Sequence, residues 1–420
     1  MNVAHPPHVL VIGAGITGLL IAQGLKKNGI QCTVFEAEPS ASHYRPREWG
    51  MSIQWGLPLL RECLPDELYD RLYTAAVDPY FEPPDPGVLP TLNGATGELL
   101  KNVPLLRMYR VSRRKFRLFC TEGIQVEYGK LLKDISYETE NTVTATFEDG
   151  STAVGTLLVG TDGAQSVVRT HIFGAERARA STVPISAVNL HVKYNDAEKS
   201  KFVRQCHPIM TMGIHPDGYW LWISIQEVPD PDDPATWTFQ LQTTWKRREG
   251  EEVASLENLK KKAETFGEPF RSANLWIPEG TKIYENRISY WEPIPWDNKN
   301  GRIVLAGDAA HPMTFRKFQD SECINWYCSS DPGMPERGQG MNHGIADASK
   351  LTKCLKAAAT GAATWQSAVD EYQAEMIDRA GDEVRTSFEN TEMLHDWSRM
   401  QDSPIMQRGG NPREKAQASK

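Results

Sequence analysis

Short apolar runs broken by glycine open the chain. His8-Val-Leu-Val-Ile12 has the length and composition of a strand that is buried on both faces. A glycine-rich turn and a helical segment, Leu19 to Asn28, follow it, and Gly29 ends the helix before a second strand at Cys32 to Glu36. The order of strand, helix and strand predicts a βαβ unit and therefore an α/β fold.

After Arg169 the pattern changes to segments rich in aromatic and β-branched residues, separated by turn signals. We predict strands at Ser186 to Tyr194, Ile209 to Ile214, Tyr219 to Ile225, Thr236 to Trp245 and Lys282 to Trp291, and a helix at Ala254 to Phe266. A mostly antiparallel sheet is therefore expected here. Trp220 and Trp222 would share one face of their strand, where they either line a pocket or pack under the sheet.

Helical periodicity dominates beyond Lys350. It extends to about Trp397 with a break at Thr360-Gly361, and the last segment, from Trp365, is long and amphipathic. The polar tail from Asp402 is predicted to be disordered.

Composition and charge narrow the class of protein. A chain of 420 residues, 40% hydrophobic and 24% charged, supports two or three structural units of a soluble protein. The net charge of −8 gives no footprint for nucleic acid or an anionic membrane, and the basic cluster Arg110 to Arg117 is interpreted as a solvated helix face. The sequence contains no run of about 18 or more apolar residues, so no transmembrane segment is predicted. Seven scattered cysteines favour a reducing, cytoplasmic location and no metal site.

The turn after the first strand has the spacing of a dinucleotide-binding loop. In Gly13-Ala-Gly15-Ile-Thr-Gly18, the first glycine permits the tight turn, the second lets the backbone approach a pyrophosphate, and the third lets the helix pack closely. The helix N-terminus offers free N–H groups to the phosphates. Glu36 is placed to accept hydrogen bonds from the adenosine ribose. The loop alone does not distinguish FAD from NAD.

Later segments resemble motifs of the single-component flavin monooxygenases of the aromatic-hydroxylase type. They are Val111 to Phe116, Leu157 to Arg169 with its Asp162-Gly163 (called the second motif below), and Gly301 to Met313 with its Gly307-Asp308 (called the third motif). With the glycine loop they span residues 8 to about 350, in the order of that family. The resemblance identifies FAD as the cofactor, and with it a Rossmann-type FAD-binding domain.

The resemblance and the glycine loop together give a set of candidate cofactor-binding residues: Gly13, Ala14, Gly15, Gly18, Glu36, Arg47, Arg113, Asp162, Asp308, Pro312, Gly338, Gly340, Met341 and Asn342. Asp308 would bind the ribityl hydroxyls, with a helix N-cap as a compatible role, and Pro312 would lie near the reactive part of the ring. Some alternatives stay open: Arg45 in place of Arg47, a surface charge for Arg113, and a turn residue for Asp162.

A second glycine-rich turn, Arg337-Gly338-Gln-Gly340-Met341-Asn342, precedes a predicted helix from His343 to Lys356. Its backbone N–H groups and the helix N-terminus would stabilise negative charge on the reduced flavin ring. His311 and His343 flank the ring region and are assigned structural roles in preference to proton relay, so no catalytic side chain is assigned.

Residues 316–335 separate this turn from the third motif and resemble nothing in the family. Arg316-Lys-Phe can be encoded with the splice-donor-like string GTAAGT, and Pro335-Glu336 with an acceptor AG. Removing these 20 codons in frame restores the family pattern, so we favour a translated intron. The alternative is a genuine lid or substrate loop. Amplification of the transcript decides between them.

The sequence therefore predicts a mixed α/β protein: an FAD-binding part at 1–180, a β-sheet substrate domain at 181–290, a second FAD-binding part at 291–350, C-terminal helices at 351–400 and a tail at 401–420. The resemblance implies a monooxygenase that uses NADPH or NADH and O2 to hydroxylate or epoxidise an electron-rich aromatic or alkene-containing molecule, as in fungal secondary metabolism. The alternatives are an FAD-dependent oxidase or dehydrogenase, an NAD-dependent dehydrogenase, and a chain disabled by the insertion.

Overall fold

The computed structural model describes residues 7–43, 48–248, 250–251, 255–283, 285–317 and 339–409, with the backbone alone at 287 and 314–317. The strands of these ranges are β1 (His8–Ile12), β2 (Gln31–Glu36), β3 (Gly50–Ile53), β4 (Gly87–Asn93), β5 (Leu99–Leu105), β6 (Tyr109–Ser112), β7 (Val126–Tyr128), β8 (Leu132–Ser136), β9 (Val143–Phe147), β10 (Thr152–Gly155), β11 (Leu157–Gly160), β12 (Ser181–Val192), β13 (Met210–Ile214), β14 (Tyr219–Glu227), β15 (Thr238–Lys246), β16 (Glu285–Tyr290), β17 (Ile303–Leu305) and β18 (Met313–Lys317).

The helices are α1 (Ile16–Lys27), α2 (Leu57–Cys63), α3 (Asp66–Tyr69), α4 (Arg113–Thr121), α5 (Val167–Arg177), α6 (Ala197–Val203), α7 (Leu256–Ala263), α8 (Phe270–Leu275), α9 (Gly340–Ala359), α10 (Trp365–Leu394) and α11 (Pro404–Arg408). Short 3₁₀ turns lie at Leu72–Ala75, Pro234–Thr236, Gly307–Ala309 and Met400–Asp402. No helix in the described part of the chain is long and apolar enough to cross a membrane.

A five-stranded parallel sheet carries the first half of the fold. Its order is β17-β11-β1-β2-β7, so β1 lies at the centre between β11 and β2. From Val9 to Ile12 the residues of β1 are buried, as the predicted apolar run requires for a strand covered on both faces. Helices α1 and α9 pack into the same core.

An eight-stranded sheet forms the second half, in the order β18-β16-β12-β15-β14-β13-β4-β5. Its pairs are antiparallel except β13 with β4, which confirms the predicted mostly antiparallel sheet. The predicted boundaries at 181 and 290 are wrong for this sheet, because β4 and β5 come from residues before 181 and β18 from residues after 290. They join the two ends of the sheet through long-range pairing of β4 with β13 and of β18 with β16, which local sequence patterns do not reveal.

The two faces of the eight-stranded sheet differ in composition. Ile223 and Leu241 are paired on one face, and they lie in the apolar core that α7 and α8 share. Trp222 and Gln242 are paired on the other face, which is turned toward β3 and β6 of the first half. The second face, called the inner face below, therefore lies between the two halves of the molecule.

The predicted disordered tail is partly wrong. Residues 404–408 form α11, where Ile405 and Met406 are buried in the core of the eight-stranded sheet. Lys101 Nζ, on β5, donates a hydrogen bond to the Met406 carbonyl at 2.6 Å. The segment is polar overall, so its composition did not reveal that these two apolar side chains are buried. Residues 410–420 lie outside the described residues.

Candidate active site

The glycine loop between β1 and α1 shows a separate physical role for each glycine. Gly13 has a φ of 107°, and a Cβ there would lie 2.6 Å from the Thr161 carbonyl oxygen. A Cβ on Gly18 would lie 2.2 Å from the Gly13 oxygen. A Cβ on Gly15 would meet only the Thr161 oxygen, at 3.8 Å. Gly13 and Gly18 are thus required by the fold, whereas Gly15 leaves room for another molecule in front of α1.

Glu36, at the end of β2, lies directly against this loop. Its carboxylate accepts hydrogen bonds from the N–H groups of Ala14 at 2.7 Å and Glu38 at 2.9 Å. Arg117 of α4 donates through Nε to the Ala14 carbonyl at 2.8 Å, and its guanidinium pairs with Glu38 at 2.6 Å and approaches Glu36 at 3.5 Å. The ribose end of the predicted site is therefore a buried cluster of opposite charges.

The third motif and α9 meet the start of α1 at Thr17. A Cβ on Gly307 and a Cβ on Gly344 would each lie 2.6 Å from the Thr17 hydroxyl oxygen. Asp308 lies half-buried within the 3₁₀ turn that follows β17, and Ala306 is the N-cap of that turn. Three segments that the sequence singled out, at residues 13–18, 307–309 and 340–344, are thus brought to one place.

Arg169 connects the second motif to the third. Its guanidinium donates to the carbonyl oxygens of Ala309 at 2.9 Å and Asp308 at 3.3 Å, and also to that of Ala164. The side chain is buried beneath Trp291, 5.2 Å from the ring centroid. One arginine therefore contacts both turns.

Asp162 uses its carboxylate for the fold. It accepts hydrogen bonds from the Ser166 hydroxyl and from the N–H groups of Val167 at 2.7 Å and Val168 at 3.1 Å, at the N-terminus of α5. Burial raises the pKa of Asp162, against the lowering effect of these hydrogen bonds. A contact of this residue with a cofactor is therefore left to its backbone.

Asn342 likewise uses its side chain within the protein. Its Oδ1 accepts from Gln54 N at 2.9 Å and Gly56 N at 3.1 Å, and its Nδ2 donates to the Ser52 carbonyl at 3.1 Å. The helix that the sequence placed from His343 begins at Gly340, so its N-terminus includes Gly340, Met341 and Asn342. Gly338 and Arg47, also predicted to bind the cofactor, lie outside the described residues.

Arg113 and Pro312 each contact a tryptophan that holds them in position. The Arg113 guanidinium lies over the Trp49 ring, 4.9 Å from its centroid, and the Arg113 N–H donates to the Trp49 carbonyl. The Pro312 carbonyl accepts from the N–H of Trp291 at 3.1 Å. These contacts hold Arg113 next to the loop at 48–49 and Pro312 in place near the end of the third motif.

A buried ion network supports the third motif from behind. Asp347 of α9 accepts from Gly307 N, lies 2.7 Å from His311 Nε2, and pairs with Arg379 of α10 at 2.7 Å. Burial raises the pKa of Asp347, but the attraction of His311 and Arg379 outweighs it and holds the pKa well below its usual range. Burial lowers the pKa of His343, whose Nδ1 accepts from Arg379. These contacts agree with the structural roles assigned to both histidines.

The inner face of the eight-stranded sheet brings Trp220, Trp222 and Gln240 toward the first half. The two tryptophans share that face as predicted, with ring centroids 5.5 Å apart. Gln240 Oε1 accepts from Gly50 N at 3.0 Å and from Arg110 at 2.9 Å. The Arg110 guanidinium lies over Trp222, 5.4 Å from the ring centroid.

Sequence reasoning missed several residues of this site. Arg110 and Arg117 were grouped as a solvated helix face, but Arg110 is on β6 and buried, and Arg117 reaches the glycine loop. The spacing of Arg113 and Arg117, one helical turn apart, was an available signal. No local signal marks Asp347, because its partners come from remote segments. Among the described residues, no group of His, Cys, Asp and Glu side chains suits a metal ion.

Two family models of FAD-dependent proteins match the part of the chain that contains the glycine loop and the third motif. The family described as FAD dependent oxidoreductase matches residues 8–147, and the family described as FAD binding domain matches residues 121–315. The FAD-dependent monooxygenase phnB of Penicillium herquei is 44% identical over 411 residues, which cover 96% of this chain and 95% of that protein. The FAD-dependent monooxygenase cctM of Talaromyces islandicus is 40% identical over 407 residues, which cover 96% of each.

Solved structures share the fold. HpxO of Klebsiella pneumoniae, complexed with FAD and uric acid, is similar with a TM-score of 0.70 at 19% identity, covering 97% of this chain and 94% of that one. CtdE, in complex with FAD and a substrate, is similar with a TM-score of 0.73 at 16% identity, covering 95% and 93%. The predicted fold class is confirmed.

Proposed function

The chain belongs to the FAD-dependent monooxygenases, and from that premise we propose that it uses NADPH or NADH and O2 to hydroxylate or epoxidise an electron-rich aromatic or alkene-containing small molecule in secondary metabolism. One observation supports the proposal above others. The glycine loop, the Gly307–Ala309 turn and the N-terminus of α9 meet at Thr17, within a molecule whose second sheet presents polar and aromatic side chains to the first half.

The residues at the loop fit FAD. The space in front of Gly15, where a Cβ would meet little, suits a pyrophosphate, and the N-terminus of α1 provides N–H groups and the positive end of the helix dipole. Glu36 keeps acceptor capacity for a ribose, since a carboxylate accepts more than the two backbone hydrogen bonds seen here. The single charge of Arg117 offsets part of the negative charge of the Glu36 and Glu38 carboxylates.

The residues around the third motif fit the ring end of FAD. Asp308 would bind the ribityl hydroxyls, and Pro312 with Gly340, Met341 and Asn342 would border the ring. When bound, FAD supplies the redox chemistry, taking electrons from a reduced nicotinamide and passing them to oxygen. The N-terminus of α9 would stabilise negative charge there. The buried tryptophans of the inner sheet face would exclude water.

Purified protein tests the proposal. We expect a flavin absorption spectrum, substrate-dependent oxidation of NADPH or NADH, and one atom of ¹⁸O from ¹⁸O2 in the product of a substituted phenol or alkene. Product without label, with hydrogen peroxide as the sole oxygen product, would support the oxidase alternative. A colourless protein that still oxidises NADH would support the dehydrogenase alternative.

A further inference from the structure

His311 is enclosed where the end of the third motif meets α9. Its side chain is fully buried, and so is that of its partner Asp347. Nε2 of His311 lies 2.7 Å from Asp347 Oδ2. The Asp347 carboxylate accepts hydrogen bonds at both oxygens, from Gly307 N and from Arg379, so it is the acceptor here as well and His311 Nε2 is the donor.

The other ring nitrogen of His311, Nδ1, has no hydrogen-bond partner among the described residues. Buried polar atoms are normally paired, because an unpaired one loses its hydration without replacement. Nδ1 either keeps a lone pair, which leaves the ring neutral, or carries a proton, which makes the ring a cation. This single atom therefore decides the charge of the pair that His311 forms with Asp347.

His343, in the first turn of α9, lies next to His311 but is held in its neutral form. The two ring centroids are 6.2 Å apart. Nδ1 of His343 lies 2.9 Å from Arg379 Nη1, and a guanidinium only donates, so this nitrogen keeps its lone pair. The proton of His343 is then on Nε2, 3.7 Å from Glu383 Oε2. A second proton would break the contact of His343 with Arg379.

The charges around the two histidines favour uptake of a proton. Arg379 pairs with Asp347 at 2.7 Å and with Glu375 at 2.8 Å, and Glu383 lies on the other side of His343. Three carboxylates thus face one guanidinium in the described part of this cluster. The neighbouring elements add a neutral phenol and one charge of each sign, on Tyr372, Asp308 and Arg169. The cluster therefore has an excess of negative charge that a proton would offset.

This cluster lies directly behind the turn that the proposed function assigns to FAD. Gly307 N donates to the same carboxylate oxygen as His311, Asp308 is the next residue, and Pro312 follows His311 in the chain. Buried charges interact strongly, because little solvent screens them. Negative charge placed on the flavin ring would therefore favour a proton on His311 Nδ1, since His343 is held neutral by Arg379.

We propose that His311 binds a proton at Nδ1 when FAD is reduced and releases it when FAD is reoxidised, so that a buried imidazolium offsets the negative charge of the reduced ring. This inference rests on the proposed function and adds a proton held by the protein to its redox step. The hydride from NADPH or NADH brings two electrons and one proton to the ring, which gains one negative charge, and the proton on Nδ1 comes from water. His343 keeps its structural contact with Arg379.

The reduction potential of bound FAD, measured against a reference dye as a function of pH, tests this proposal without turnover. Each proton taken up with the two electrons contributes about 30 mV per pH unit. Between about pH 6 and 8, where histidine titrates, we expect about 59 mV per pH unit in the unaltered protein, which corresponds to two protons. His311→Gln should show about 30 mV per pH unit, because its amide nitrogen can donate to Asp347 but binds no proton. Protonation of the ring itself would persist in this variant.

His343→Asn is the matched control within the same cluster. Its side-chain oxygen can replace Nδ1 as the acceptor for Arg379, so this variant should keep the two-proton dependence. Melting temperature and FAD affinity, which should stay close to those of the unaltered protein, show that both variants retain the fold. A measurement without any variant uses protein labelled with ¹⁵N at histidine, in which one imidazole Nδ1 should gain a proton when dithionite reduces the flavin.

Three results would each overturn the inference: a one-proton dependence in the unaltered protein, a two-proton dependence in His311→Gln, or no new imidazolium on reduction. Loss of a proton in His343→Asn as well would contradict the assignment to His311. Failure of the proposed function is seen separately, as the absence of bound flavin or of ¹⁸O in the product.

Discussion

The glycines of the loop at 13–18 differ in what surrounds them, and this difference predicts opposite effects of the same substitution. Gly15 has an extended backbone that any residue adopts, with φ at −68°, and space around its missing Cβ. A Cβ on Gly18 would lie 2.2 Å from the Gly13 oxygen, 2.5 Å from Thr161 Oγ1 and 3.2 Å from Val11 Cγ1, which is closer than van der Waals contact. One glycine thus leaves open space in front of α1, and the other is required for packing.

We therefore expect Gly15→Ala to fold normally and to lose about tenfold or more in FAD affinity, since its methyl group would enter the pyrophosphate space. Gly18→Ala should destabilise the protein itself by about 1–3 kcal/mol through overpacking. Thermal melts without FAD and a fluorescence titration with FAD measure the two effects. Equal losses of stability in both variants would contradict the assignment.

Asp347 is the residue on which the buried ion network depends. We expect Asp347→Asn to cost about 3–5 kcal/mol of unfolding free energy, because it leaves Arg379 and His311 without their buried partner. The low folded pKa means that this contribution is present above about pH 4, the unfolded value, and is lost only as the pH falls toward the folded one. Urea unfolding at pH 7 measures it. Asp297→Asn, at an exposed ion pair with Lys299, should change stability by less than about 0.5 kcal/mol.

At the scale of elements, the end of α10 is joined to the eight-stranded sheet by His395. Its ring lies 2.8 Å from Thr244 Oγ1 of β15 and 2.7 Å from the Thr391 carbonyl. Burial lowers the pKa of His395 to about 4. The contact therefore holds two elements together in the neutral form of the imidazole.

Acid should loosen this junction. Because the folded pKa lies below the unfolded value near 6.5, the contribution of His395 is complete above about pH 6.5 and is lost as the pH falls toward about 4. In His395→Gln we expect the decline of unfolding free energy over this range to be smaller by up to about 3 kcal/mol. Urea titrations at several pH values measure it, with His43→Gln at an exposed site as control. An unchanged decline would refute the assignment.

At the scale of the whole molecule, β18 links the two halves. It pairs with β16 from Tyr290 with Met313 to Asn286 with Lys317, and its chain arrives directly from the third motif. The edge strand of the eight-stranded sheet thus continues directly from the Gly307–Ala309 turn. Residues 316 and 317, the first two of the suspected insertion, contribute the far end of this strand.

A chain without residues 316–335 and with Glu336→Gln should still bind FAD. It keeps the pairs of Met313, Thr314 and Phe315 with β16, and it reconnects them to the glycine-rich turn before α9. The visible absorption spectrum beside that of the 420-residue chain measures this. Flavin in the shortened chain alone would mark the longer form as defective, and flavin in both would make the segment a tolerated loop. Flavin in the longer chain alone would disprove the intron hypothesis.

The boundaries of the predicted elements show where local information suffices. Strand His8–Ile12 and the start of the long C-terminal helix at Trp365 agree with prediction, and the predicted strand at 209–214 differs by one residue. These boundaries depend on hydrophobic periodicity and on glycines that end an element, and both are local properties of the sequence. The roles of Gly13 and Gly18 in the fold were also predicted correctly, because they follow from backbone sterics.

The sequence by itself thus determined the family, the βαβ start and the order of the motifs, since each depends on residues close together in the chain. Only the tertiary structure decided that β4, β5 and β18 join the eight-stranded sheet, that Asp162 and Asn342 direct their side chains to the protein, and that Arg110 is buried against that sheet, where it donates a hydrogen bond to Gln240. Pairing across long separations and the partners of a buried charge depend on what packs opposite, and no single segment contains that information.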